Sequence, residues 1–297
     1  MKDAIIVHSD DYNGWVFDPS HPTQGRRFDN GLAAITMQLD EDNRNCDVIE
    51  PRLPTYEDLA LVHTENYISS VTAGFSDEWY GKRVDLAHLA ALFVGGTLTA
   101  LDTLTAEETL LAVNLPGAKH HAQVDHSSGF CVFADFAIAA HMLSDQDKRV
   151  AILDVDAHHG DGTENLTYEN RNILTYSIHE WGIFPGTGKD SDRRNNVYNE
   201  PLPTYGNDAQ LANGVMNFVA VADLFIPDYI FVAGGADGHR NDPLSTLQYT
   251  LPGYSEALRR VRGAFPTTPI LFGGAGGYQP DGATPMSWAA MVTALVA

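Results

Sequence analysis

Asp154-Val155-Asp156-Ala157-His158-His159-Gly160-Asp161-Gly162 brings carboxylates and imidazoles together at the end of an apolar run, Val150–Val155. If that run is a strand, its side chains alternate with period two, so Asp154, Asp156 and His158 project on one side. Asp156 and His158 then offer a carboxylate and an imidazole to a divalent metal. Asp154 and Asp161 remain to orient neighbouring groups, which metal-binding and catalytic histidines need. Burying so many carboxylates there without a cation would be costly. A second stretch, Gly234-Gly235-Ala236-Asp237-Gly238-His239-Arg240-Asn241-Asp242-Pro243-Leu244, follows the apolar Tyr229–Ala233 and supplies Asp237 as a third ligand. Three protein ligands with an open position are what a hydrolytic zinc site requires.

Two more polar stretches follow apolar runs. His120-His121, in the loop after Leu110–Val113, reads as an acid–base pair, as metal ligands, or as two solvated imidazoles. Gly273-Gly274-Ala275-Gly276-Gly277-Tyr278 follows Pro269–Phe272; it looks like a phosphate loop, yet no Lys-Ser/Thr comes after it. Its glycines instead allow a close approach of backbone to a site and place the Tyr278 hydroxyl there. A tyrosine beside a metal can donate to a carbonyl oxygen that becomes negative in the transition state.

These groups need a scaffold that brings the ends of distant runs together. Ala4–Val7, Leu110–Val113, Val150–Val155, Ile173–Ile178, Tyr229–Ala233 and Pro269–Phe272 are short, apolar and β-branched, as strands covered on both faces are. Helical patterns lie between them: Phe28–Leu39, Tyr56–His63, Leu86–Leu101, Phe133–Leu143, Asp208–Leu224, Ser255–Phe265 and Trp288–Val296. Thr55 with Asp58 reads as a capping start for the second of these. Strand–helix alternation predicts an α/β fold, a central mostly parallel sheet flanked by helices on both faces. In such sheets, ligands gather at the carboxyl ends of the strands, where all four polar stretches fall. No linker or repeat divides residues 1–297, so one domain is expected.

Composition narrows the function. The chain has 18 Lys+Arg against 39 Asp+Glu, a net charge of −21, which leaves little for a basic nucleic-acid face. At 44% hydrophobic residues it can bury a large core. No uninterrupted apolar run suggests a membrane span, and Met1–Val7 reads as a first strand rather than a signal peptide. Two distant cysteines, Cys46 and Cys131, suit a reducing cytoplasm.

Together the stretches resemble the histone deacetylase family of zinc-dependent deacetylases, nearest its bacterial acetoin-utilisation and acetylpolyamine amidohydrolase branches. The resemblance rests on His120-His121, Ser128-Gly129-Phe130-Cys131, Asp154 through Thr163, Ser177-Ile178-His179, Phe184-Pro185-Gly186-Thr187-Gly188, Gly235-Ala236-Asp237 through Asp242-Pro243-Leu244, and Gly276-Gly277-Tyr278. Val62 through Ile68 looks like a helix of the same family. It implies a single-domain arginase–deacetylase fold and removal of acetyl or other short acyl groups from acetyl-lysine-like amines. Acetylpolyamines and other small acylated amines are the alternative substrates. It also implies a zinc ion (or Fe²⁺) on Asp156, His158 and Asp237, with His121 as base and then acid, backed by Asp161. His120, backed by Asp154, would help hold the attacking water and the developing charge, and Tyr278 would polarise the carbonyl. Gly129, Phe130 and Phe184 would line the substrate tunnel, although the phenylalanines read equally as core. A structural potassium near Asp154, Asp156, His158 and Ser177 is implied as well.

Some features depart from the family pattern. Pro116-Gly117-Ala118-Lys119 precedes the histidine pair in an uncommon form, and Lys119 is expected to face solvent. Asp77 and Glu78 are candidates for a carboxylate that grips substrate, and His239 for the rim. The chain ends soon after Trp288–Val296, so extra rim elements are expected to be missing. A two-manganese ureohydrolase would need carboxylates where Gly160 and His239 stand, and a non-catalytic acetyl-amine binder would not need every reacting group. His8, His21, His88, His126 and His141 read as surface or satisfied core residues; His63 and His179 read as packing or hydrogen-bonding groups. The acidity left over, including Asp40-Glu41-Asp42, reads as a solvated face suited to solubility or a salty habitat, with steering of cationic substrates as the alternative.

Overall fold

The computed structural model describes residues 2–296. Its strands are β1 (Ala4–Val7), β2 (Cys46–Ile49), β3 (Leu111–Asn114), β4 (Val150–Asp154), β5 (Ile173–Glu180), β6 (Val197–Leu202), β7 (Tyr229–Ala233) and β8 (Ile270–Gly273). The helices are α1 (Arg26–Glu41), α2 (Tyr56–Ala60), α3 (Glu65–Thr72), α4 (Val84–Thr105), α5 (Asp135–Ser144), α6 (Asp161–Thr167), α7 (Asp208–Phe225), α8 (Leu251–Ala264) and α9 (Ala283–Leu295). The strands form one sheet in the order β2-β1-β3-β8-β7-β4-β5-β6, and every pairing in it is parallel.

The six apolar runs are all strands of this sheet. β1, β3, β4, β5 and β8 are buried along their whole length, because helices cover both faces. The edge strands β2 and β6 have no such run, since each leaves one side open to solvent. Pro201 sits in β6, a position that an edge strand tolerates. The capping start at Thr55 is present: its hydroxyl accepts from Asp58 N–H at 3.1 Å, and the Asp58 carboxylate accepts from Thr55 N–H at 2.8 Å. Helix α4 is long and apolar enough to cross a membrane by length and composition, but 72% of its most apolar window is packed inside the protein.

The register of the central strands decides where chemistry can occur. Asn114 pairs with Gly273, Gly273 with Ala233, Ala233 with Asp154, and Asp154 with Ser177, so these strand ends are level. The four polar stretches follow β3, β8, β7 and β4, which are neighbours in the sheet although far apart in sequence. Helix α9 fixes the loops that leave two of them. The Trp288 indole N–H donates to Gly234 O at 3.1 Å and to Gly274 O at 2.8 Å. The same ring stacks on Phe28 of α1, with centroids 6.2 Å apart.

Candidate active site

Beyond β4 and β7, Asp156, His158 and Asp237 converge, with one ligand atom from each within 4.8 Å of the others. All three are buried. His158 Nδ1 lies 3.1 Å from Asp156 Oδ1 and 2.9 Å from Asp237 Oδ2. Backbone groups orient the carboxylates: Gly276 N–H donates to Asp156 Oδ2 at 2.7 Å, and Ala157 N–H to Asp237 Oδ1 at 2.9 Å. A Cβ on Gly276 would run into both carboxylates, so only glycine allows this approach. Burial, and then the Asp156 charge, push the Asp237 carboxyl up to about 6. Burial disfavours a charged His158, yet the two carboxylates outweigh it and push its imidazole up to about 11. The donor set thus demands positive charge between its members. One imidazole and two carboxylates fit a divalent transition metal such as zinc.

The histidine pair hangs from the end of β3 by an anchor that the sequence reading missed. The Asp135 carboxylate, in the first turn of α5, accepts from Ala118 N–H, Lys119 N–H and the Thr97 hydroxyl at 2.9, 2.7 and 2.5 Å. A lone carboxylate inside the apolar stretch Phe130–Ala140 was the available signal. His120 Nδ1 is 2.7 Å from Asp154 Oδ2, and His121 Nδ1 is 2.6 Å from Asp161 Oδ1. Gln123, also missed, donates to Asp161 Oδ2 at 3.0 Å. The two rings differ in character. Burial works against a charged His120, but Asp154 and Asp156 push it up to about 9. Burial, followed by the His120 charge, lowers His121 to about 4 despite Asp161. Paired groups driven apart in this way suit a division into fixed charge and proton acceptor.

Tyr278 follows β8, and its N–H donates to Asp242 Oδ2 at 2.7 Å. Asp242 lies within the polar stretch that follows Tyr229–Ala233, but its position there revealed no partner. The half-buried Tyr278 ring lines a cavity of about 400 Å³ with Glu78, His121, Gly129, Phe130, His158, Ile183, Phe184 and Leu244. Phe130 and Phe184 are therefore walls of this cavity and not core residues. Phe184 is 49% exposed and packs edge-on against His121, with centroids 4.9 Å apart. Phe130 meets Tyr278 in the same way at 6.0 Å. A Cβ on Gly129 would run into the His121 ring.

Lys119 is buried rather than solvent-facing, because Asp135 pulls its backbone inward. Its ammonium lies over the Phe93 ring, 5.3 Å from the centroid, and burial lowers it to about 8. Glu78 lines the cavity, whereas Asp77 faces a neighbouring surface pocket with Asp125. His239 is buried, its Nδ1 accepts from Asn241 N–H at 3.2 Å, and Leu244 forms the cavity wall on that side. His63 and His179 are held by backbone and hydroxyl partners. His8, His126 and His141 each have a carboxylate or carbonyl partner, while His21 packs against Phe130 with centroids 4.6 Å apart. Asp154 and Ser177 sit side by side on β4 and β5 at a small cavity of about 10 Å³. A Cβ on Gly160 would run into the Asp154 carboxylate that holds His120.

Known proteins resemble this chain in sequence and, for one solved structure, in fold. The family described as histone deacetylase domain matches residues 21–295. The acetoin utilization protein AcuC of Bacillus subtilis (strain 168) is 33% identical, over 97% of this chain and 81% of its own. AcuC of Staphylococcus aureus (strain COL) is 32% identical, over 99% of this chain and 82% of its own. Among solved structures, the HDA15 HD domain superposes with a TM-score of 0.85, covering 100% of this chain and 90% of that one at 23% identity, a likeness in fold. With the parallel α/β fold, the strand-end clusters and near full-length similarity all in agreement, the chain belongs to the histone deacetylase family.

Proposed function

We propose that this deacetylase is a metal-dependent amidohydrolase, zinc being the first choice and Fe²⁺ the second, that removes acetyl or short acyl groups from acetyl-lysine-like amines. The observation that carries this reading is the Asp156–His158–Asp237 triad, whose His158 lines one cavity together with His121 and Tyr278. Asp156, His158 and Asp237 hold the cation. When bound, such an ion acts as a Lewis acid toward the amide carbonyl and lowers the pKa of a coordinated water.

The remaining steps belong to the chain's own side chains. Tyr278 donates its hydroxyl hydrogen to the carbonyl oxygen as negative charge develops there. His121, neutral at physiological pH, takes the proton of the attacking water and passes it to the leaving amine. Asp161 holds His121 in the tautomer that leaves Nε2 free to accept. His120, held by Asp154, adds positive charge beside the attacking water. Phe130 and Phe184, with Gly129 between the first of them and His121, form an apolar slot for an extended alkyl chain that carries the amide at its tip. The structural potassium that the resemblance implies would sit where Asp154 and Ser177 adjoin on β4 and β5, while the Asp156 and His158 side chains turn toward the divalent-metal site. The free cysteines Cys46 and Cys131 support a cytoplasmic location.

Glu78 in the cavity wall favours small cationic amines, such as acetylpolyamines, as a second substrate class. The experiment is a competition panel of acetyl-lysine peptide, acetylputrescine and acetylspermidine, run with defined zinc or iron. Acetyl-lysine turnover that depends on metal and is lost in Tyr278→Phe and His121→Ala is the expected result. Equal, metal-independent rates in all three proteins would overturn it.

A further inference from the structure

The cavity does not end at the reacting groups. Gly129, Phe130 and Tyr278 also line a second chamber of about 20 Å³, which Thr23, Arg27, Ala118, Lys119, His120 and Cys131 help to close. That is room for one or two water-sized groups. Its polar lining consists mainly of donors. Arg27 and Lys119 contribute two cations, 3% and 6% exposed, and Thr23 contributes a hydroxyl on a residue 1% exposed.

These donors are left without adequate partners. Arg27 Nη1 donates to Gly277 O at 2.7 Å, but Arg27 Nε and Thr23 Oγ1 have no hydrogen-bond partner. Among the described residues, Lys119 Nζ has the Phe93 ring and no acceptor. The carboxylate of Asp135 is already engaged by Ala118, Lys119 and Thr97. Buried donors without acceptors, and buried cations without a counter-charge, are costly. A carboxylate answers both, since it offers two oxygens with about four acceptor positions in the space of a few atoms.

We propose that Lys119, with Arg27, makes this chamber a charge selector for the acyl group, admitting a short acyl chain that ends in a carboxylate and rejecting an apolar extension of similar size. This inference rests on the amidohydrolase reading. Tyr278 faces both spaces, so an acyl carbonyl held at Tyr278 directs whatever extends beyond its methyl carbon into the chamber. A malonyl group adds one carboxylate at that carbon. Water adds to its amide carbon, the C–N bond breaks, and the amine leaves with the proton that His121 took from the water. The products are the free amine and a dicarboxylate. A butyryl chain would instead lay methyl groups against an ammonium and a guanidinium.

The test compares kcat/KM for one peptide carrying acetyl-, malonyl- or butyryl-lysine, on metal-loaded wild type and on Lys119→Met, which keeps length and removes charge. Wild type should hydrolyse the malonyl peptide at least about 10-fold faster than the butyryl peptide, a conservative threshold beside the roughly 10⁴–10⁵ reached where a site's buried polar groups go unpaired. Lys119→Met should reverse that order. Wild type that favours butyryl, handles the two alike or accepts neither would overturn the inference even if the variant fails to fold, as would an unchanged ratio in Lys119→Met. Absence of hydrolysis of all three peptides would overturn the amidohydrolase reading itself.

Discussion

Replacing Asp161 with asparagine keeps the side-chain shape and removes only the charge behind His121. Asp161 Oδ1 lies 2.6 Å from His121 Nδ1, in a setting where the carboxylate is 16% exposed and the imidazole 5%. Burial and His120 both disfavour a protonated His121, and Asp161 is the main group opposing them. A hydrogen bond to a charged group is worth about 1.5–3 kcal/mol. In the proposed mechanism that bond strengthens when His121 takes the proton of the attacking water, so its loss falls on the transition state. At about 1.4 kcal/mol per factor of ten, Asp161→Asn should lower kcat/KM by roughly 10- to 150-fold, mostly through kcat. The asparagine amide also meets Gln123 Nε2, which now donates to Asp161 Oδ2 at 3.0 Å, while Asn165 already occupies Gln123 Oε1. A donor facing a donor loosens the support, which favours the upper part of the range. The assay is steady-state hydrolysis of an acetyl-lysine peptide across pH 5–9 at saturating zinc, with circular dichroism as a check on folding. Removing the carboxylate makes His121, already lowered to about 4, still harder to protonate, so the plateau should drop without a new acid limb from His121 entering this pH range. A folded Asp161→Asn protein within about twofold of wild type at every pH would refute the assignment of Asp161 as the support for a proton-transferring His121.

Tyr278→Phe should lower kcat by about 10²–10³ without loss of stability, because the hydroxyl has no hydrogen-bond partner among the described residues; unchanged kcat would remove Tyr278 from the chemistry. Chelation should abolish turnover and lower Tm, and zinc at 100 times its Kd should return about 2.7 kcal/mol of stability. Asp237→Asn should lose that zinc-dependent rise in Tm, and a rise equal to wild type would count against Asp237 as a ligand. His63, a buried residue, takes a hydrogen bond from Ala134 N–H at 2.9 Å on Nε2, and burial lowers it from 6.5 to about 4. Its folded pKa lies below the unfolded one, so this contribution is complete above pH 6.5 and is lost as pH falls toward 4. The loss amounts to about 3 kcal/mol at most. Denaturant unfolding of His63→Gln should give a flatter fall in stability over that window than wild type, and identical slopes would show that another group is responsible.

The sequence by itself determined the ingredients of the site and the class of scaffold. Six apolar runs specified the buried strands, since a strand covered on both faces must be apolar throughout. The polar stretches at their ends, from His120-His121 to Tyr278, named the candidate site residues, while the role of the histidine pair as proton carriers came only with the family resemblance. The edge strands Cys46–Ile49 and Val197–Leu202 were illegible, because a half-exposed strand needs no apolar run. Only the tertiary structure decided which groups meet. Parallel pairing in the order β3-β8-β7-β4, with level strand ends, brings Asp156 and Asp237 to one point across 80 intervening positions. It also decided burial, which pattern alone misjudged at Lys119. A lysine beside a histidine pair ordinarily seeks water, but Asp135, from a helix that begins 16 residues later, draws its backbone into the core. Long-range contacts of this kind leave no local periodicity, so the floor of the acyl pocket becomes readable only once the chain is folded.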